Sequence, residues 1–129
     1  MSLLTDYLAS LAREPFTYGK EDCALPIGRW WQINHGVDPA AHLRGSYSTR
    51  DGCMAVIERH GGLLRLVWTL AKAAGARRTH DPKPGDFAVV GYGRIQFCAI
   101  RAPSGKWAIK CGNGLRFVSR CRPLMMWSI

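Results

Sequence analysis

The chain predicts an α+β domain in which helices come first and pack on a C-terminal antiparallel sheet. Three observations carry that expectation. Apolar residues recur at helical spacing from Leu3 to about Ala74. After Pro84 that period gives way to short runs cut by Gly93, Pro103-Ser104-Gly105 and Gly112-Asn113-Gly114, which is turn chemistry. At 129 residues, with 47% apolar and 21% charged residues, the chain suffices for one core and reads as a single domain over residues 1–129. Helices followed by strands define the class.

Ser2 is placed to cap a first helix running to about Ala12, whose apolar face is Leu3, Leu4, Tyr7, Leu8 and Leu11. Pro15 closes it and leads into a loop, Phe16–Asp22. A second helix is expected from about Cys23 to His35, with Asn34-His35-Gly36 as its stop. Pro26 fits only a helix that has barely begun, so Asp22 or Cys23 should stand at its N-terminus. Trp30 and Trp31 are adjacent and cannot share one helix face. They read as two differently buried rings, the alternative being an indole exposed in a groove or interface. Val37 to Ser48 reads as an irregular connection. Thr49 caps a short helix to His60, ended by Gly61-Gly62. Leu63, Leu64, Val67, Leu70, Ala71 and Ala74 trace a fourth helix, stopped by Gly75.

From Ala76 to Pro84 a basic, proline-containing segment links the two halves. The strand runs are Asp86–Tyr92, Arg94–Arg101, Lys106–Cys111 and Leu115–Ser119, an antiparallel meander. Pro123 interrupts the next few residues, and Leu124–Ile129 is expected as a last edge strand. Tyr92, Phe97, Trp107 and Phe117 are expected to face the helices as core.

The net charge of +9 promotes contact with polyanions, whether nucleic acid, anionic lipid or cell-wall polymer. The basic residues are scattered and match no nucleic-acid motif, so nucleic acid is a possible but not a favoured partner. Five cysteines are an odd number, widely spaced, and point to reduced thiols in a cytoplasm rather than a disulfide framework. The apolar start, Met1 to Leu11, has no basic n-region and contains Asp6, so it does not read as a signal peptide. No apolar run approaches the roughly 20 residues that cross a bilayer. Gly91-Tyr92-Gly93 is a turn rather than a phosphate loop. No Cys-x-x-Cys or His-x-x-x-His spacing is present, so neither a metal nor a cofactor is expected.

Cys23 is the candidate nucleophile. A cysteine at a helix start meets unpaired N–H groups and the positive end of the helix dipole, which stabilise a thiolate. The plainer alternative is a small buried thiol at a helix–sheet contact. Nucleophilic work requires a base within reach. His35 lies about 18 Å along the same helix, and His60 precedes a helix stop where it can bond terminal carbonyls. His42 and His80 lie in loops, and His80 is an alternative base. The strand half contains no histidine.

Several stretches occur in a familiar order: Pro15-Phe16-Thr17-Tyr18-Gly19 through Asp22-Cys23, Leu43-Arg44-Gly45-Ser46-Tyr47, His60-Gly61-Gly62-Leu63, Pro84-Gly85-Asp86, and Gly112-Asn113-Gly114-Leu115 with Trp127. In this order the chain resembles the papain-like NlpC-type cell-wall peptidases, in the short versions carried in phage and prophage tail gene clusters. The resemblance implies a papain-like fold and a cysteine nucleophile, here Cys23, that attacks an amide of peptidoglycan stem peptides. It also implies a histidine at the start of the second strand and a polar orienting residue on the next. Aligned on Pro84-Gly85-Asp86, the histidine position falls at Gln96 and the orienting position near Trp107–Lys110. Phe16 stands where active members carry a tyrosine, and Ala24 where a serine commonly follows the cysteine. Phe16, Tyr18 and Asp22 are the substrate-binding candidates on the loop. Glutamine cannot take a proton at neutral pH.

The resulting expectation is a degenerate cysteine peptidase with a structural or assembly role in a phage tail. Its partners would be other tail proteins or peptidoglycan, and its location the cytoplasm when synthesised and then the virion tail. The alternatives are an active cysteine peptidase or amidase using Cys23, and a basic nucleic-acid-binding module.

Overall fold

The computed structural model describes residues 2–112 and 114–129, as four helices followed by five strands. These are α1 Leu3–Arg13, α2 Leu25–His35, α3 Arg50–Arg59 and α4 Leu63–Ala74, then β1 Phe87–Tyr92, β2 Ile95–Arg101, β3 Trp107–Cys111, β4 Gly114–Val118 and β5 Arg122–Trp127. The helix ends are made by the residues that signalled them. The Ser2 side chain accepts from Thr5 N–H, and Thr49 accepts from Gly52 N–H. Helices α2 and α4 end at Gly36 and Gly75 in the left-handed conformation. One boundary moves. Helix α2 starts at Leu25 rather than Cys23, because the Asp22 carboxylate accepts from the N–H groups of both Ala24 and Leu25. Asn113, in the expected turn before β4, lies outside the described residues.

The five strands form one antiparallel sheet in the order β4-β3-β2-β1-β5. The first four make the expected meander. The fifth returns to the far side of β1 and becomes an edge. It begins earlier than expected and includes Pro123, which pairs with Val90 just past a register shift between Val89 and Val90. An edge strand with a local bulge tolerates a residue that has no N–H to donate.

The helices cover one face of this sheet. Helix α1 packs on β3 and β4, α2 on β2, and α4 on β1, β2 and β5, while α3 lies outside against α4. The main core joins Leu4, Leu8 and Leu11 of α1, Ile27, Trp30 and Trp31 of α2, and Val67 of α4 to Phe87, Val89, Cys98, Ile100 and Ala108 of the sheet. A second cluster, with Leu25, Leu43, Val56 and Leu66, seals the 37–48 connection against α3 and α4.

The strand aromatics correct the expectation made for them. Trp107 is buried and Phe97 half-buried in a separate cluster with Ala88, Val90, Ala99 and Ile109, on the face turned away from the helices. Tyr92 and Phe117 remain 62% and 49% exposed. The physical reason is room: Leu and Trp side chains from the helices fill the inner layer, so the inward strand positions are mostly short, such as Val89, Cys98 and Ala108.

Trp30 and Trp31 are both buried. Trp30 stacks on Tyr7 at a centroid distance of 5.2 Å, and its indole N–H donates to the Gly85 carbonyl at 2.7 Å. Trp31 stacks on His35 at 3.9 Å and meets the edge of Phe87. The partly exposed indole is instead Trp68 on α4. Among the described residues, no helix is long and apolar enough to cross a membrane.

Candidate functional site

Asp22 organises the loop before α2. Its side chain is fully buried and accepts four hydrogen bonds, from Gly19 N–H, Ala24 N–H and Leu25 N–H at 3.1 Å each and from the Tyr47 hydroxyl at 2.5 Å. A buried carboxylate survives when its oxygens are bonded in this way. The loop is pinched by two backbone bonds between Thr17 and Glu21. Gly19 has φ +85°, and a Cβ there would lie 2.0 Å from the Tyr47 carbonyl oxygen, so only glycine fits.

The Leu43–Tyr47 segment is the second wall of this structure. Gly45 N–H donates to the Gly19 carbonyl. Arg44 donates to the carbonyls of Lys20 at 2.7 Å and Leu25 at 3.2 Å, and pairs with Asp38 at 3.1 Å. One arginine thereby ties the loop, the start of α2 and the 37–48 connection together.

Cys23 follows Asp22 and is half-buried, with its sulfur 3.9 Å from the sulfur of Cys53. Among the described residues Cys53 is its hydrogen-bond partner, and no histidine bonds it. The thiol of Cys23 is pushed well above the ordinary range, first by its hydrogen bond to Cys53, then by burial and by Cys98, Cys53 and Asp22 nearby. Cys53 moves down. Its hydrogen bond with Cys23 outweighs burial and the Asp22 charge, and the Tyr47 hydroxyl adds to the shift. Of the two thiols, Cys23 therefore holds its proton the more tightly, while Cys53 stands four residues past the Thr49 cap in the first turn of α3. Cys98 of β2 faces the same interior, and burial drives its thiol upward.

This environment corrects the reason for expecting a reactive Cys23. The helix N–H groups that were to stabilise its thiolate are bound to Asp22, and the neighbouring carboxylate opposes a second negative charge.

The remaining candidates fall elsewhere or take other roles. Gln96 is exposed on β2, and its Oε1 accepts from Leu64 N–H at 3.3 Å, which caps a helix whose N-cap, Gly62, has no side chain. His80 and His42 are exposed in their loops. His60 Nδ1 lies 2.8 Å from the Val56 carbonyl at the end of α3, the role expected of it. Phe16 and Tyr18 are half-buried and meet edge to face at 5.1 Å. Asp22, named with them for substrate contact, turns its carboxylate inward. In the stretch expected to hold an orienting residue, Lys110 is buried and donates from Nζ to the carbonyls of Leu11 and Glu14 at the end of α1.

Glu21 is a second buried carboxylate. It lies 2.9 Å from Arg29, and burial holds its carboxyl above the usual range despite the pull of Arg29 and Arg44.

Cys53, Tyr47 and Lys110 were not foreseen as site residues. Tyr47 closes a stretch that stood out in the sequence, and Cys53 follows a helix cap at the right distance for the first turn. Lys110 lies in the Trp107–Lys110 stretch expected to hold an orienting residue, but nothing in the sequence marked its bond to the end of α1. Among the described residues no group of three or more Cys, His, Asp or Glu side chains is arranged to hold a metal ion. No curated protein and no solved structure matches the chain. A family model does match, over residues 1–129, and the chain belongs to that family, the domain of unknown function DUF6950.

Proposed function

We propose that the chain is a papain-like domain of NlpC type that no longer hydrolyses peptides and serves as a structural or assembly component of a phage or prophage tail. The observation that carries this reading is the partner of Cys23, which is a second thiol at 3.9 Å rather than an imidazole. A protonated sulfur with no base beside it is a poor nucleophile. Two features agree. Gln96, where the resemblance to the NlpC-type peptidases puts a histidine, caps α4. Helices followed by an antiparallel sheet, with the cysteine just before α2, is the order that a papain-like domain requires.

The hydrolytic alternative is tested by alkylating Cys23 with iodoacetamide across pH. The rate should be low at pH 7 and climb only in the alkaline range, as for a thiol whose pKa is raised. A plateau well below pH 8, with peptidoglycan turnover lost in Cys23→Ala, would overturn the reading. The assembly role is tested by deleting the gene from the phage or prophage that carries it. Incomplete tails are expected, and normal tails would remove the proposal.

The nucleic-acid alternative loses support from the sheet. Phe97 and Trp107 are half-buried or buried, and the two exposed rings lie on opposite faces. Tyr92 is on the outer side, whereas Phe117 pairs with the inward-facing Ala108. They do not make one stacking platform.

A further inference from the structure

We propose that Cys23 and Cys53 form a reversible redox pair that closes to an intramolecular disulfide by exchange with a low-molecular-weight disulfide such as oxidised glutathione. The geometry points to this independently of the assembly reading. The two residues come from different elements, the loop before α2 and the first turn of α3, and their sulfurs lie 3.9 Å apart. A disulfide needs about 2.05 Å, so the gap to be closed is roughly 2 Å, within reach of side-chain rotation. Their access differs in the way an exchange reaction needs. Cys23 is half-buried and keeps part of its surface open to a small disulfide, while Cys53 is 2% exposed and waits behind it.

The reaction balances in two steps. In the alkaline range Cys23 gives its proton to solvent base, its thiolate attacks one sulfur of the small disulfide, the displaced thiolate takes up a proton, and a mixed disulfide forms. The Cys53 sulfur then attacks Cys23, the mixed bond breaks, and the second small thiol departs with the Cys53 proton. The pair loses two electrons and two protons, and the small disulfide gains both. Burial directly behind Cys23, at 3.9 Å, places Cys53 for the second, resolving attack.

Closure has a structural consequence. Helix α3 packs mainly on α4 and lies outside the helix layer on the sheet. A bond from Cys53 to Cys23 fastens it to the loop that Asp22 organises, and encloses α2 and the Leu43–Tyr47 wall in one covalent ring. The pair is open in a reducing compartment and closes on transfer to an oxidising one.

The test uses the full chain, reduced and then incubated with oxidised glutathione at pH 8. Intact mass should fall by two hydrogens with no retained glutathione. Peptide mapping without reductant should link the Cys23 and Cys53 peptides, and dithiothreitol should reverse the change. The melting temperature should rise by about 5–10 °C on closure. Cys98→Ala should close as the wild type does, and Cys53→Ser should stop at the mixed disulfide on Cys23. A stable glutathione adduct on wild-type Cys23, a Cys23–Cys98 link, or no loss of hydrogen would each overturn the proposal. The wild-type map decides the matter even if a variant fails to fold.

Discussion

Two residues of β2, Cys98 and Gln96, sit two positions apart on the same face of the sheet, and their surroundings differ sharply. Around Cys98 lie Cys23, Cys53 and the fully buried Asp22, with its four donors. Around Gln96 lies an open groove lined by Gly61, Gly62, Arg65, Trp68 and Met125, with one long bond to Leu64. A peptidase would need both places built to the same standard, since nucleophile and base act as a unit. Here one is closely bonded and the other is a helix cap. The difference teaches that the loop before α2 is ordered by Asp22 and its four donors with no contribution from Gln96.

The most direct way to break this comparison is Asp22→Ala. It strips the acceptor from three buried N–H groups and the Tyr47 hydroxyl, and nothing nearby replaces it. Loss of about 3–5 kcal/mol is expected in urea unfolding. Asp22→Asn keeps one carbonyl acceptor and should lose less. If Asp22→Ala unfolds at the wild-type midpoint, the loop is not organised by this carboxylate.

That prediction also marks what the sequence could disclose. Caps and stops were legible because Ser2, Thr49, Gly36 and Gly75 act on their immediate neighbours. The position of Asp22 was legible for the same reason, through the nearby Pro26. Its function was not, because the fourth donor, Tyr47, arrives from 25 residues downstream. The meeting of Cys23 with Cys53 depends on how α3 docks, which no local pattern encodes. The strand aromatics were misplaced because alternation separates two faces without saying which one the helices cover. Trp107 takes the outer face, while the smaller Val89 meets the helices.

A smaller effect on the same bonded side is expected from Lys110→Met. The substitution keeps the buried stem and removes the ammonium that caps the end of α1 through Leu11 and Glu14. A loss of about 2 kcal/mol should appear in urea unfolding. Hydrogen exchange should show the last turn of α1 opening first. Unchanged exchange there would mean that the α1 carbonyls find water as readily as the lysine.

Glu21 sharpens the comparison through pH. Its folded carboxyl binds its proton more tightly than in the unfolded chain, chiefly because it is buried. The native state therefore holds the extra proton between the ordinary glutamate value of 4.5 and the raised folded value. By linkage, stability from this group is present below 4.5 and is lost as pH rises through the folded value. Glu21→Gln should match the wild type at pH 4 and be the more stable form at pH 7, with a smaller change than at Asp22. A wild-type curve as flat as that of the variant would show that Arg29 already offsets the burial of Glu21.

The weakest effect belongs to the open side. Gln96→Ala removes one long, exposed hydrogen bond to Leu64 N–H, a group that water can reach once the side chain is gone. A loss of about 0.5 kcal/mol is expected in urea unfolding, with fraying limited to the first turn of α4 in hydrogen exchange. Gln96→His should be similarly mild and should leave Cys23 as slow to alkylate as before, because its thiol proton is held by Cys53 and by the Asp22 charge rather than by the lack of one imidazole. If the histidine variant instead makes Cys23 react rapidly at pH 7, the two sides remain coupled as a peptidase site, and the contrast between them is only one substitution deep.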